Sequence, residues 1–358
     1  MASIRKLANG KWEATVFIGR EANNKQIRKY ITRATKKECK AAAREMEQEI
    51  EDGRFVNIEN VRLSTWMDKW LELNKARLSP STYPSYKMYV EVHFKKYFGQ
   101  LKLSQINEIH IRQYISDKLK APLSPTTVRK HFFVLRKILQ DVLKHKNPAN
   151  DIAPPEKTDY TPHVLNSEEF EIIHSAVRGT RDETIVLLSG WCGLRRGEIF
   201  ALKWDDIDWT KETIRIDEGR ALTEDGYIDK SPKSKKGLRV IAAPSYVIDL
   251  LDKRRKAQKK ITERIFSIRP DHYSSYWAEL VVKKNLPKIR FHDLRHYHAT
   301  WLYDQGIPDQ YAAQRLGHDI QVLKGIYQHL NVDRGKEIDD TIRKKLLNFN
   351  SKPRHESN

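Results

Sequence analysis

The 358 residues, 39% of them hydrophobic and 32% charged, hold enough apolar material for two or three cored domains rather than one. Lys and Arg outnumber Asp and Glu by 66 to 47, a formal charge of +19. That points to an extended polyanion, nucleic acid foremost, with an anionic membrane surface as the competing reading and solubility charge as the bland one. No run of about 18 apolar residues exists to span a membrane. The start MASIRKLANGKW lacks the apolar stretch of a signal peptide, and Cys39 and Cys192 form neither a metal-ligand nor a redox spacing, so a cytoplasmic, reducing setting is expected.

Residues 1–55 read as a small β-sheet-plus-helix unit. In KWEATVFIG, Trp12, Ala14, Val16 and Ile18 alternate with polar neighbours, as in a half-buried strand. Asn23-Asn24 offers turn chemistry, and KQIRKYIT reads as the returning strand. Thr35 and Glu38 make a capping box for a helix from about residue 36. Residues 1–44 carry twelve Lys or Arg against Glu13, Glu21 and Glu38, so a basic sheet backed by a helix is a candidate groove-reading module.

After EDGRFVNIEN, residues 60–150 read as a basic, all-helical domain, opened by Leu63, Trp66 and Trp70 at helical spacing. LSPST at 78–82 is echoed by LSPTT at 123–127; Ser79 and Ser124 are each expected to cap a helix whose first turn holds a proline. Lys87, Lys95 and Lys96 follow the first, and Arg129, Lys130, Arg136 and Lys137 the second. Tyr83, Tyr86, Phe94, Tyr97 and Phe98 read as core. NPANDIAPPEKTDYTP, residues 147–162, reads as a linker. Residues 163–347 read as a larger, mainly α mixed domain. Helices are expected near 167–178, 182–192 and 196–203, strands near 213–217 and 238–242, then helices to about 346. The tail, residues 348–358, carries no packing signal.

Four segments of that last domain hold candidate chemistry. In GLRRGEIFALKW, Gly193 ends one helix and Arg195 opens the next, beside N–H groups that favour anions, with Glu198 three residues on. In FHDLRHYHATWLY, His292 and Arg295 project from one helix face and suit an oxyanion or phosphate; the guanidinium has no lone pair for a metal. In QRLGHDIQVLKGIYQHL, Gly317 breaks a helix, His318 sits at the turn, and Tyr327 follows. SPKSKKGLRVIAAP is a basic, turn-rich connection into a strand, where Lys233, Lys235 and Lys236 compete for any role. Asp205, Asp206 and Asp208 read as a turn at a strand start, not as metal ligands. Taken singly, each segment also fits ordinary surface or core.

Together, a Gly-Leu-Arg box, a hairpin lysine, a His-x-x-Arg box, a Leu-Gly-His box and a tyrosine, in this order, resemble the tyrosine recombinase family of phage and conjugative-transposon integrases. The resemblance runs strongly over residues 165–345. It implies a multidomain α+β protein: an arm-type DNA-binding unit (1–55), a helical core-site-binding domain (60–150) and a catalytic domain (163–347). It further implies that Arg195 and Arg295 bind the scissile phosphate, that His292 and His318 complete the pocket, that Lys233 (or Lys235) is the general acid, and that Tyr327 is the nucleophile. No metal or other cofactor is implied. The implied partners are duplex attachment-site DNA, a homotetramer passing through a Holliday junction, an excisionase and a DNA-bending host protein. Departures from the family pattern are Cys192 for a more usual Thr, Lys324-Gly325 where small hydroxyl residues are common, and His298 for a larger apolar residue. A topoisomerase-like nicking-closing enzyme and a catalytically silent DNA-binding regulator remain open as alternatives.

Overall fold

A computed structural model describes residues 2–20, 24, 26–52, 60–157, 164–232, 237–258 and 262–327. The chain divides into two compact units, Met1–Thr158 and Asp159–Asn358.

The first unit opens with an antiparallel sheet in the order β1 (Ser3–Lys6), β2 (Trp12–Arg20), β3 (Gln26–Arg33), one strand more than the alternation predicts. Ala14, Val16 and Ile31 bury one face of it against Cys39 and Ala43 of helix α1 (Lys36–Glu51). Thr35 caps that helix, its Oγ1 accepting from the Glu38 N–H at 3.2 Å. The other sheet face leaves Phe17 and Tyr30 half exposed.

Helices α2 (Leu63–Asn74), α3 (Tyr83–Met88), α4 (Lys95–Phe98), α5 (Glu108–Lys120) and α6 (Pro125–Leu143) follow, with a π-helical stretch, Tyr89–Phe94, joining α3 to α4. Trp66, Trp70, Phe94 and Phe98 fill their shared core. Tyr97 departs from expectation: it lies at the rim with its hydroxyl donating to Asp117 at 2.6 Å. Ser124 caps α6 as its sequence predicts, accepting from the Thr127 N–H at 3.2 Å. Ser79 does not cap its helix, which starts at Tyr83. The reason is a second proline. A helix begun at Pro80 would place the ring of Pro84 against the carbonyl four residues back, so Ser79 instead closes a turn, its carbonyl accepting from the Thr82 N–H at 2.8 Å. Ala149 and Ile152 are buried in the same core, so the first part of the Pro- and Asn-rich stretch is packed.

In the second unit, α7 (Ser167–Val177), α8 (Arg181–Gly190) and the short α9 (Arg196–Ile199) precede the strands β4 (Ile207–Asp208), β5 (Thr213–Ile216), β6 (Gly219–Thr223), β7 (Gly226–Lys230) and β8 (Arg239–Ala242). Helix α9 stops four residues short of the expected 203. Strands β4, β5 and β8 form one sheet in that order, while β6 and β7 form a separate hairpin that the sequence pattern does not announce. Helices α10 (Ser245–Ala257), α11 (Pro270–Lys283), α12 (Asp293–Asp304), α13 (Asp309–Leu316) and α14 (Ile320–Tyr327) complete it. The main core joins α7, α8, β5, β8, α10 and α11 through residues such as Phe170, Leu187, Ile214, Ile241, Leu251 and Trp277. A smaller cluster, with Ala299, Ala313, Leu316 and Leu323 fully or nearly buried, seats α14 on α12 and α13. Among the described residues no helix is long and apolar enough to cross a membrane. The expected helix to 346 and the 348–358 tail lie outside the described residues.

Candidate active site

Two glycine breaks between helices bring the boxes together. Between α8 and α9, Gly193 adopts φ 71°, and a Cβ there would lie 2.6 Å from His298 Cδ2 and 2.8 Å from a Leu316 methyl. Only glycine tolerates both the left-handed backbone and the approach. Its carbonyl accepts from Arg295 at 2.5 Å. Gly317, left-handed at φ 61°, ends α13 and turns its carbonyl to Arg195 at 2.7 Å. Arg195 and Arg295 are thereby fixed by each other's neighbouring boxes, 122 and 102 residues away in sequence.

Glu198 is the hub. Its carboxylate is buried and accepts from the Arg195 backbone N–H (2.8 Å), the Arg195 guanidinium (2.7 Å) and both terminal nitrogens of Arg239 (3.1 and 2.8 Å), while Arg295 Nη1 lies 3.7 Å away. Burial would raise its pKa, but the Arg239 hydrogen bond and charge, then Arg295 and Arg195, bring it down to about 2. The carboxylate is therefore ionised at any working pH, and three guanidiniums share one negative charge. Arg295 is 1% exposed. It also donates to the Leu316 carbonyl, yet its Nε–H finds no partner among the described residues. Arg195 is a third exposed, with donors to spare.

Two imidazoles flank this pair. His292 occupies the N-cap position of α12 at the surface, without a side-chain capping hydrogen bond; partial burial of its ring, then His296, Arg295 and Arg195, lower its pKa to about 4 against the pull of Asp293. His318 follows Gly317, its Nδ1 without a partner among the described residues; burial, then Arg295, Arg195 and the other two histidines, lower its pKa to about 3. Both are therefore neutral near pH 7. A cavity of about 390 Å³ opens beside Arg195, lined by that residue with Glu198, Arg220 of β6, Ser231, Pro232, Gly237 and Gly317. Lys233, Lys235 and Lys236 lie outside the described residues; the chain on either side of them lines this cavity. Tyr327 is the last residue of α14, and its side chain lies outside the described residues.

Two of the sequence departures, Cys192 and His298, are benign here. Burial pushes the Cys192 thiol up to about 12 despite Arg315, so it is inert. His298 is buried, with Arg315 Nε donating to its Nε2 at 3.1 Å, and burial, then Arg315 and Arg295, lower its pKa to about 3. Asp206 caps the Lys203 N–H (2.9 Å) and pairs with Arg215 (2.8 Å), and Asp208 accepts from the Thr210 and Lys211 N–H groups, as a strand-start turn requires. Sequence reasoning missed Arg239 and gave Glu198 no role. Glu198 was visible as the residue closing a cap on Arg195; Arg239 had no signal, being one more cation in a basic run.

The neutral histidines of this region carry a prediction. His298 and His318 have folded pKa values near 3 against 6.5 unfolded, so between those limits the unfolded chain binds more protons. Stability is full above 6.5 and falls as pH drops through the window. Thermal melts at about pH 7.5 and about pH 5 should show a clearly lower Tm at the acid value, and an unchanged Tm would refute their neutral burial.

Residues 163–334 match the Phage integrase family, and residues 62–119 match its N-terminal SAM-like domain. The chain is 28% identical over 371 residues to a XerC-like tyrosine recombinase of Caldanaerobacter subterraneus, covering 90% of this chain and 93% of the relative. It is 24% identical over 367 residues to the ICEBs1 integrase of Bacillus subtilis, covering 95% and 99%. Its fold is similar to the Tn1549 transposon integrase solved with transposon right end DNA, at TM-score 0.67 and 18% identity over 79% of this chain and 100% of that one. It is also similar to lambda integrase, solved as a tetramer on a Holliday junction, at TM-score 0.57 and 16% identity over 88% and 91%.

Proposed function

The chain belongs to the phage integrase family of tyrosine recombinases, and from that premise we propose that it integrates and excises a mobile element by cutting and rejoining DNA at attachment sites. The observation that carries this reading is the pairing of Arg195 with the buried Arg295 around Glu198, with spare donors and two neutral imidazoles beside it.

Attack on a phosphodiester builds negative charge on the non-bridging oxygens. Two planar guanidiniums meet those oxygens with a fixed fork of donors, which an ammonium cannot reproduce. Arg195 and Arg295 take that role, His292 and His318 complete the pocket, and Tyr327 attacks the phosphorus. Its proton leaves to a neutral imidazole, aided by the nearby cations that favour the phenolate. Lys233 delivers a proton to the leaving 5′-oxygen. The 3′-phosphotyrosyl ester conserves the bond, so a second DNA end's 5′-hydroxyl can reverse the attack without ATP.

Around this centre, residues 1–55 read an arm-type site with the sheet face that carries Phe17, Arg28, Tyr30 and Thr32, and residues 60–150 hold the core site. Four protomers, each with residues 163–347 as its catalytic domain, act on two sites, with an excisionase and a DNA-bending protein as accessories in the bacterial cytoplasm.

The test is covalent capture. Incubated with a nicked duplex of the direct repeat that borders its element, the full chain should give an SDS-resistant DNA adduct, undiminished in EDTA. Loss of the adduct in EDTA with recovery in magnesium would sink the reading.

A further inference from the structure

Arg239 is a charged side chain only 3% exposed, and every one of its nitrogens is engaged. Its two terminal nitrogens take one oxygen each of Glu198; Nη1 also donates to the Gly237 carbonyl at 3.2 Å, and Nε to the Arg315 carbonyl at 2.7 Å. The three anchors come from α9, from the segment entering β8, and from the last turn of α13. Arg315 directly precedes Leu316, whose carbonyl Arg295 takes. So Arg239 ties together the elements that hold Arg195 and Arg295 while its own guanidinium is buried.

We propose that Arg239 is a positioning residue for strand transfer: it fixes the Glu198 carboxylate, and Glu198 in turn sets the spacing and charge of Arg195 and Arg295 toward the scissile phosphate. This rests on the recombinase reading above. The physical reason is competition for one carboxylate. With Arg239 occupying both oxygens, Glu198 is neutralised mainly from behind, and the Arg195 and Arg295 guanidiniums keep most of their charge for a ligand. Without it, the carboxylate keeps only Arg195 and Arg295 as partners, and its whole charge falls on those two cations. Lysine is a single-point donor and cannot span Glu198, Gly237 and Arg315 together, so it supplies charge without the fork.

The experiment compares the full chain with Arg239→Lys on two nicked duplexes of the same repeat, one with an ordinary scissile phosphate and one with a methylphosphonate there. The methyl group removes the charge that the clamp exists to meet. With thermal melts showing a folded variant, adduct formation at saturating DNA should slow about 100-fold on the phosphate, the size expected of a small misplacement. On the methylphosphonate it should slow less than about 10-fold, because little charge remains to be stabilised. An equal loss on both substrates would place the defect at the tyrosine or the leaving group, and no loss on either would make the fork dispensable; either result overturns the proposal. If Arg239→Lys does not fold, the paired Glu198→Gln and Arg239→Gln variant removes both charges together. It must then show the same phosphate-selective loss, and full activity or an unselective loss would again overturn it. A wild-type chain that forms no adduct on the phosphate duplex would instead fail the recombinase reading itself.

Discussion

Tyr327→Phe is expected to bind attachment-site DNA with unchanged affinity and to form no covalent adduct, a loss of about 10⁴-fold or more, as for removal of a nucleophile that works as one unit with its base. A phenol of pKa about 10 reacts at neutral pH only where cations and a proton acceptor stand close, and phenylalanine removes the reacting oxygen while keeping the ring. Tyr327 ends α14, whose Leu323 is fully buried against α12 and α13. The substitution therefore falls at the end of a docked helix, and the variant should melt like the wild type. The readout is an SDS gel of nicked-duplex reactions beside a gel-shift titration. A trapped adduct with the variant would assign the nucleophile to another residue.

Arg295→Lys carries the second large effect, in catalysis and in stability. Single-turnover cleavage at saturating DNA should fall by about 10²–10³, the range for loss of a preorganised donor to a developing oxyanion. The loss should lie in the rate and not in DNA affinity, since the charge is kept and only the fork is lost. Arg295 is 1% exposed and its two terminal nitrogens satisfy the Gly193 and Leu316 carbonyls, which one ammonium cannot reach together. An unsatisfied buried acceptor costs about 1–3 kcal/mol, so the melting temperature should drop. Arg195→Lys makes the control: Arg195 is a third exposed, and its replacement should slow cleavage comparably while lowering Tm less. Equal melting of the two variants would contradict the buried-anchor role of Arg295.

Some of the molecule was legible because local physics writes it into short stretches. Ser124 before Pro125 and Thr35 before Lys36 announce helix starts through hydroxyls that meet orphan N–H groups, and both caps are present. Ser79 shows the limit of that logic, because the same LSP motif is overruled by Pro84 four residues further on. The hairpin of β6 and β7 was invisible since its residues are partly exposed throughout and show no clean alternation.

For the site, the chemical types on hand can be read from the chain alone: arginines at 195 and 295, histidines at 292 and 318, and a tyrosine at 327, in the order that marks a tyrosine recombinase. Those side chains suit phosphate chemistry, and the glycines at 193 and 317 mark the breaks beside them, so the residue types themselves carry the signal. How their charge is managed could be read only from the fold in three dimensions. That Arg239 and not a nearer cation backs Glu198, that Arg295 is sunk in the fold while Arg195 is open, and that His318 and His298 are held neutral all depend on burial and on pairing across 41 to 122 residues of chain. Desolvation and Coulomb terms follow distance and dielectric in space, and neither is a function of spacing along the sequence.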